Sequence, residues 1–456
     1  MSKVQPAASS TTPGALRRNV FLLAAITALG GLLFGYDTGV VAGALLYIHL
    51  AFGMLTSLDK ELVVSLLLLG AIVGALAGGM VADAIGRRPT LLITAVIFIV
   101  GALGAAFSPS LEALIAMRFV IGLAVGTASQ TVPLFISEMA PRKLRGTLVS
   151  FNQLAITIGI LAGFLVDYGL SASGNWRLMF GLAVVPGVLL FIGIAFQKES
   201  AHWLIRKGRI EEAREVLTRV RAGADIAAEI KDVETLQLVK GRFRDLLQPT
   251  LRKVLLIGVI LAVLQQVTGI NTIIYYLPTL LKGAGFGAGS SLLANVGNGV
   301  VNVSLTIVSL LLVDRLGRRP LLITGLCGMT IALLVVAVNF LIGGAHLHGV
   351  GAIVAVAAFF FYTGSFAIGL GPVFWLLISE IYPVDIRGRA MSVATMANWG
   401  ANFVVTISFL TILGVIHGFG TFFLLAFLSV VAVFYCVLQV PETKGESLQQ
   451  IERELG

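Results

Sequence analysis

Charge is what this sequence has least of: Asp, Glu, Lys and Arg make up 12% of its 456 residues, against 57% hydrophobic. A water-facing globular domain carries roughly 25% charged residues. A chain with half that share cannot cover its surface with polar groups, so its solvent must be lipid. Cysteine is nearly absent, and Cys327 and Cys436 both fall inside apolar runs, which leaves no disulfide framework to build on. The histidines His49, His202, His346, His348 and His417 are scattered, with no pair at metal-ligand spacing on a helix face. The absence of a nucleophile–base pair, a metal cluster or a phosphate loop speaks against an enzyme.

What is present is a succession of apolar runs, each near or above the roughly 20 residues a helix needs to cross a bilayer. They lie at 19–46, 61–84, 89–107, 111–136, 147–170, 176–197, 252–281, 290–313, 320–342, 350–379, 390–415 and 418–440. Only helices and closed barrels satisfy their backbone in lipid. These runs are long and continuous, whereas barrel strands are short and alternating. The reading is an all-α membrane protein with twelve transmembrane helices in two six-helix bundles, 19–197 and 252–440. A disordered tail at 1–18, a helical linker at 198–251 and a C-terminal tail at 441–456 complete it. The first run is too long for a signal-peptide core and is expected to stay as a helix.

Basic residues are distributed unevenly. All 32 lysines and arginines except Lys60, Arg118, Arg177 and Lys282 fall on the tails, the linker or alternate loops, the bias that marks a cytoplasmic face. Both termini are therefore expected in the cytoplasm, with the chain multi-pass in the cell (inner) membrane. The net charge of +9 is then a topology signal and calls for no nucleic-acid partner. In the linker, 209–220 and 226–239 have amphipathic helical spacing, with Glu215 and Arg219 at i,i+4. The segment is too short for a catalytic domain of ~100 residues, so helices capping the cytoplasmic face are expected.

The chain also repeats itself. Asp83-x-x-Gly86-Arg87-Arg88-Pro89 recurs as Asp314-x-x-Gly317-Arg318-Arg319-Pro320, and Ser137-Glu138 before Arg145-Gly146 recurs as Ser379-Glu380 before Arg387-Gly388. The aspartates are 231 residues apart and the glutamates 242. Two motifs at nearly one offset imply two parallel halves, an architecture whose ligand site lies between them. These carboxylates and arginines sit where ion pairs can latch the halves, although the arginines also serve topology.

Charges within lipid are costly and point to function. Asp37 in the first run and Arg118 in the fourth lie about 13 Å and 10 Å from the outer surface at 1.5 Å per residue, so the two can meet. They read either as a static ion pair or as a proton-carrying site, since a buried carboxylate that loses its cation favours the protonated form. Neutral amides are the other polar feature: Gln153, Gln265, Gln266, Asn271, Asn302, Asn398 and Asn402. Amides donate and accept, which suits polyols, and Trp375 offers an indole face for a sugar ring. The competing reading is interhelical hydrogen bonding. Gly369-Leu370-Gly371-Pro372 is the expected break in a helix.

Together these residues resemble the sugar porter family of the major facilitator superfamily, over essentially the whole chain. The matching strings are Gly35-Tyr36-Asp37, the two Gly-Arg-Arg loops, Glu199-Ser200 before Trp203-Leu204, Gln265-Gln266-x-x-Gly269-Ile270-Asn271, Gly371-Pro372-x-x-Trp375 and Pro441-Glu442-Thr443-Lys444-Gly445. The resemblance implies a secondary active transporter working by alternating access, with the proton as coupling ion, no cofactor, and a monosaccharide as partner; a functional monomer is expected. It implies that Gln153, Gln265, Gln266, Asn271, Asn302, Trp375 and Asn398 line the sugar site. Glu199 joins the cytoplasmic latch set. Proton-coupled members carry an aspartate and an arginine at the positions of Asp37 and Arg118, whereas passive facilitators typically replace the aspartate. Ile160 is similar to glucose-carrying members and favours a hexose, with xylose and galactose as alternatives. A passive facilitator and a non-transporting sugar sensor are the rival readings. The sequence departs from the family at Ala201 and His202, where the pattern has proline and arginine.

Overall fold

The computed structural model describes residues 13–141, 144–220, 226–238, 248–344, 346–382 and 387–444. Its first half contains α1 (Pro13–Ala44), α2 (His49–Phe52), α3 (Ser57–Ile85), α4 (Arg87–Ala106), α5 (Leu111–Met139), α6 (Arg145–Gly169), α7 (Trp176–Gly181) and α8 (Val184–Ala195). Three shorter helices follow: α9 (Ala201–Arg206), α10 (Ile210–Val220) and α11 (Ile226–Leu238). The second half contains α12 (Pro249–Val267), α13 (Ile270–Gly283), α14 (Ala288–Leu316), α15 (Arg318–Gly343), α16 (Val350–Ile368), α17 (Leu370–Ile381) and α18 (Arg387–Gln439). Residues 13–18, read from the sequence as tail, already belong to α1, with Pro13 at its first turn, where its fixed φ suits a helix start. Residues 1–12 and 445–456 lie outside the described residues.

Eleven stretches are long and apolar enough to cross a membrane, and one of them crosses twice. At 53 residues, α18 would run about 80 Å if straight, against a hydrocarbon core of about 30 Å. It bends at His417, whose φ of 57° is the only positive value among described non-glycine residues, and so supplies the eleventh and twelfth crossings. Two other crossings are broken near their middles. One breaks at Gly369, between α16 and α17, as the Gly-x-Gly-Pro string predicts. The other breaks at Gly269, between α12 and α13, where φ is +93°, a conformation glycine adopts without steric cost.

Lipid offers no hydrophobic drive between helices, so they associate by close packing of small residues. On α3, Gly70, Gly74 and Gly78 lie against α5, and Gly122 and Gly126 of α5 reciprocate; a Cβ at Gly74 would run into the Leu123 backbone and one at Gly126 into that of Ala71. The same device joins α1 to α6, with Gly31, Gly35 and Gly39 against Asn152, Ile156 and Ile160, and Gly159 and Gly163 against α1. The functional side chains of the first half hang on this backbone contact.

The halves touch on the side away from the Gly-Arg-Arg loops. Glu61, fully buried near the start of α3, accepts from the Thr411 backbone N–H at 2.7 Å and from its hydroxyl at 2.8 Å. Gly299 of α14 packs on Phe164 and Leu161 of α6, and nearer the middle Phe34 of α1 meets Trp399 of α18 at 5.3 Å between ring centroids.

Two predictions follow from this packing. Gly74→Leu is expected to destabilise the fold by about 1–3 kcal/mol, read as a lower Tm in detergent; an unchanged Tm would mean that α3 and α5 do not depend on backbone contact there. Glu61→Gln removes a charge-assisted acceptor worth about 1.5–3 kcal/mol. It is expected to raise labelling of a single cysteine placed at Asn402, by an impermeant maleimide added from the Glu61 side, about tenfold. Equal labelling of both proteins would show that the Glu61–Thr411 contact does not hold the halves closed.

Candidate functional site

Asp37 is carried on α1 and Arg118 on α5, and the structure brings them into one buried ion pair. Arg118 Nη1 donates to Asp37 Oδ1 at 2.5 Å, with each residue 1% exposed. The guanidinium is held on two further sides, donating from Nε to the Val63 carbonyl at 3.0 Å and lying 5.4 Å from the Phe180 ring centroid. Asp37 Oδ2 is buried and has no hydrogen-bond partner, so the carboxylate leans on Arg118 alone. Tyr275 of α13, from the other half, lies within electrostatic reach of both; its hydroxyl faces Thr38 and Asn402 without closing a hydrogen bond to either.

Four amides of the second half, Gln265, Gln266, Asn271 and Asn398, form a single network. Gln266 Nε2 donates to Asn398 Oδ1 at 3.0 Å, Asn398 Nδ2 to Gln265 Oε1 at 2.7 Å, and Asn271 Nδ2 to Gln266 Oε1 at 2.8 Å. Gln265 Nε2 donates in turn to the Leu370 carbonyl at 2.8 Å, a group adjoining the break at Gly369. Both helix breaks therefore face this cluster, and the string Gln265–Asn271 spans one of them. Asn402 accepts from the Thr406 hydroxyl at 3.1 Å. Gln153 is half-buried on α6, Asn302 is buried on α14, and Trp375 is half-buried beside Phe374. None of these three hydrogen-bonds to the network among the described residues. Ile160 is buried, its backbone pressed on Gly35 and Gly39.

At the Gly-Arg-Arg loops the sequence repeat becomes a structural one. Gly86 and Gly317, with φ of 110° and 97°, turn each chain so that the next arginine points inward. Arg87 grips Glu138 through Nε and Nη2, both at 3.0 Å, and meets Asp83 at 2.9 Å. Arg318 grips Glu380 at 3.0 and 2.8 Å and meets Asp314 at 3.1 Å. Glu199 accepts from the backbone N–H groups of Arg87 and Arg88, as Glu442 does from those of Arg318 and Arg319. Ser200 donates to Glu138 and Thr443 to Glu380. The Glu-Ser and Glu-Thr strings, unrelated in the sequence reading, are thus one device built twice. Burial pushes the Glu199 carboxyl above its ordinary value. At Glu442 burial acts the same way but is outweighed by four backbone N–H donors, from Arg318, Lys444, Arg319 and Thr443, which hold it lower.

Two features of these clusters differ from expectation. The described ion pairs lie within each half, as they must where the halves meet on the opposite side, and do not bridge the halves as a latch would. Glu138 pairs with Arg87 and with Arg206 of α9, the latter at 2.8 Å; the Arg145 side chain, its expected partner, lies outside the described residues. Arg387 donates to the Tyr382 carbonyl at 3.0 Å, and Arg88 and Arg319 to the carbonyls of Ala195 and Val437.

Sequence reasoning passed over Arg206, Glu61, Tyr275 and the Phe34–Trp399 contact. Arg206 lay in a linker read for amphipathicity alone. Glu61 sat at the edge of an apolar run, where a charge looks solvated. Tyr275 follows the matched Gln-Gln-x-x-Gly-Ile-Asn string by four residues and was the one detectable signal.

With that geometry in view, the family model described as sugar (and other) transporter matches residues 23–455. The glucose transporter GlcP of Staphylococcus epidermidis is 40% identical over 441 residues, covering 96% of this chain and 98% of its own. The galactose-proton symporter of Escherichia coli K12 is 39% identical, covering 95% of this chain and 94% of its own. A partially occluded inward open structure of the xylose transporter XylE from E. coli superposes with a TM-score of 0.82 at 31% identity, covering 94% of this chain and 99% of that one. The chain therefore belongs to the sugar transporter family of the major facilitator superfamily, a family of membrane transporters and not of enzymes.

Proposed function

We propose that this protein is a proton–monosaccharide symporter, with a hexose such as glucose as its sugar. The observation that carries the reading is the Asp37–Arg118 pair: a wholly buried acid with one cation on one oxygen and nothing on the other. A buried carboxylate stays ionised while a guanidinium is beside it and takes up a proton when that guanidinium withdraws. The pair sits at the boundary between the halves, because Tyr275, on the same half as the amide network, lies within electrostatic reach of it. Movement between the halves can then change the spacing of Asp37 and Arg118, and the proton state of Asp37 can bias that movement.

Sugar binding is assigned to the amide network of Gln265, Gln266, Asn271 and Asn398. Gln153 and Asn302 from neighbouring helices contribute further polar groups, and Trp375 an aromatic wall. Amides that hydrogen-bond one another can exchange those bonds for sugar hydroxyls at little enthalpic cost. The relatives carry glucose, D-xylose, myo-inositol or galactose by name at nearly equal identity. Ile160 offers no polar group to the site, which supports a hexose through the family likeness. The Gly-Arg-Arg side is taken as cytoplasmic, on the strength of its basic residues. The halves, 19–197 and 252–440, then stand closed outward, and the paired clusters of Asp83, Arg87, Glu138, Asp314, Arg318 and Glu380 take part in closing the inner side at the opposite stage of the cycle. No cofactor enters this scheme, and one copy of the chain suffices.

Reconstitution into proteoliposomes tests the reading. Wild-type protein is expected to accumulate labelled glucose above equilibrium when a pH gradient is imposed, and less so xylose, galactose and myo-inositol. Asp37→Asn is expected to abolish accumulation while retaining exchange of labelled for unlabelled sugar. Undiminished accumulation by Asp37→Asn overturns the coupling, and wild-type uptake indifferent to the gradient makes the protein a passive facilitator.

A further inference from the structure

A cavity of about 250 Å³ lies where α12 and α15 begin and α18 ends, lined by Lys253, Arg319 and the chain from Val437 to Pro441. None of these residues belongs to the Asp37–Arg118 pair or the amide network. Arg319 donates from Nη2 to the Val437 carbonyl at 2.6 Å, while its buried Nε has no partner. Lys253 is exposed, with no ion pair among the described residues. Pinning the end of a helix accounts for the Nη2 contact, since Arg88 does the same to Ala195 in the first half. The unpartnered Nε is likewise shared with Arg88, so what the pinning leaves unexplained is a second cation, Lys253, beside a cavity that Arg319 also lines.

The chemistry this pocket fits is a phosphate: two cations, one of them a guanidinium with a spare N–H. Its surroundings select the source. Val437 and Leu438 are 41% and 72% exposed, apolar side chains at the end of a crossing, on the side that carries the basic loops. A cationic lip above an apolar outer wall matches a headgroup with its acyl chains running down the helix; basic pockets at this level take up anionic lipid headgroups. A soluble phosphate would gain nothing from that wall. We propose that this pocket binds the headgroup of an anionic phospholipid, tying the start of α12 to the end of α18.

Native mass spectrometry of the full-length protein, titrated with phosphatidylglycerol or phosphatidylcholine, tests this. Phosphatidylglycerol is expected to bind in preference to phosphatidylcholine, and Lys253→Gln to weaken it about fivefold, the effect of one basic residue at an anionic membrane surface. Lys253→Arg is expected to keep the affinity, and Arg252→Gln, the same charge change one residue away and off the cavity wall, to leave it alone. Millimolar inorganic phosphate is expected not to displace the lipid. Equal weakening by Lys253→Gln and Arg252→Gln would reduce the effect to diffuse surface charge and overturn the site. So would full binding by Lys253→Gln or no preference between the lipids, and displacement by phosphate would make it a site for a soluble anion.

Discussion

A carboxylate and a guanidinium, each 1% exposed, face each other inside a bundle of apolar helices, and much of the first half is arranged around keeping them there. Taking two ions out of water costs several kcal/mol apiece, more than a single contact returns. Arg118 therefore has three supports: the acid, the Val63 carbonyl and the Phe180 face. Asp37 has one. That imbalance is the physical content of the site, because removing the only partner of a buried charge costs about 3–5 kcal/mol unless the charge itself is neutralised. The glycine contacts of α1 with α6 and of α3 with α5 hold the helices close enough for the pair to form at all.

The two halves divide the work unequally. The first holds the ion pair and few described amide contacts; the second holds the connected amides and both mid-membrane breaks that face them. What joins these two clusters is a thin seam of aromatic side chains, Tyr275 within electrostatic reach of the ion pair and Phe34 against Trp399. Trp399 adjoins Asn398 in sequence, and Phe34 lies one helical turn from Asp37. A change on either side of the seam thus has a short mechanical route to the other.

Much of this is legible in the sequence. Crossing positions follow from apolar length, the two halves from the Asp-x-x-Gly-Arg-Arg repeat, and the meeting of Asp37 with Arg118 from depth, because a helix converts residue number into distance at 1.5 Å each. The break at Gly369 followed from its proline neighbour. The bend at His417 falls in the gap between the runs 390–415 and 418–440, whereas the break at Gly269 did not follow, since a single glycine carries no local signal of it. Contacts between the halves were equally hidden: Glu61 and Thr411 are 350 residues apart, and nothing local to either marks the other. The amides were recognised as a set, but which of them bond to which depends on helix rotation that composition does not encode.

The linker also settles where the first half ends. Glu199, Ser200 and Arg206 all lie beyond the sixth crossing, yet they complete the cluster around Arg87 and Glu138. In the second half Glu442 and Thr443 do so from just beyond the twelfth. The border of the first folding unit therefore falls inside the connecting segment and not at the membrane surface. A chain divided before Lys198 and expressed as two pieces leaves the first piece without three of its own ligands. One divided after Leu238 keeps with the unit α11 as well, whose Glu229 lies 3.9 Å from His202 of α9, so the point of division, more than the fact of it, decides whether the halves can assemble from separate polypeptides.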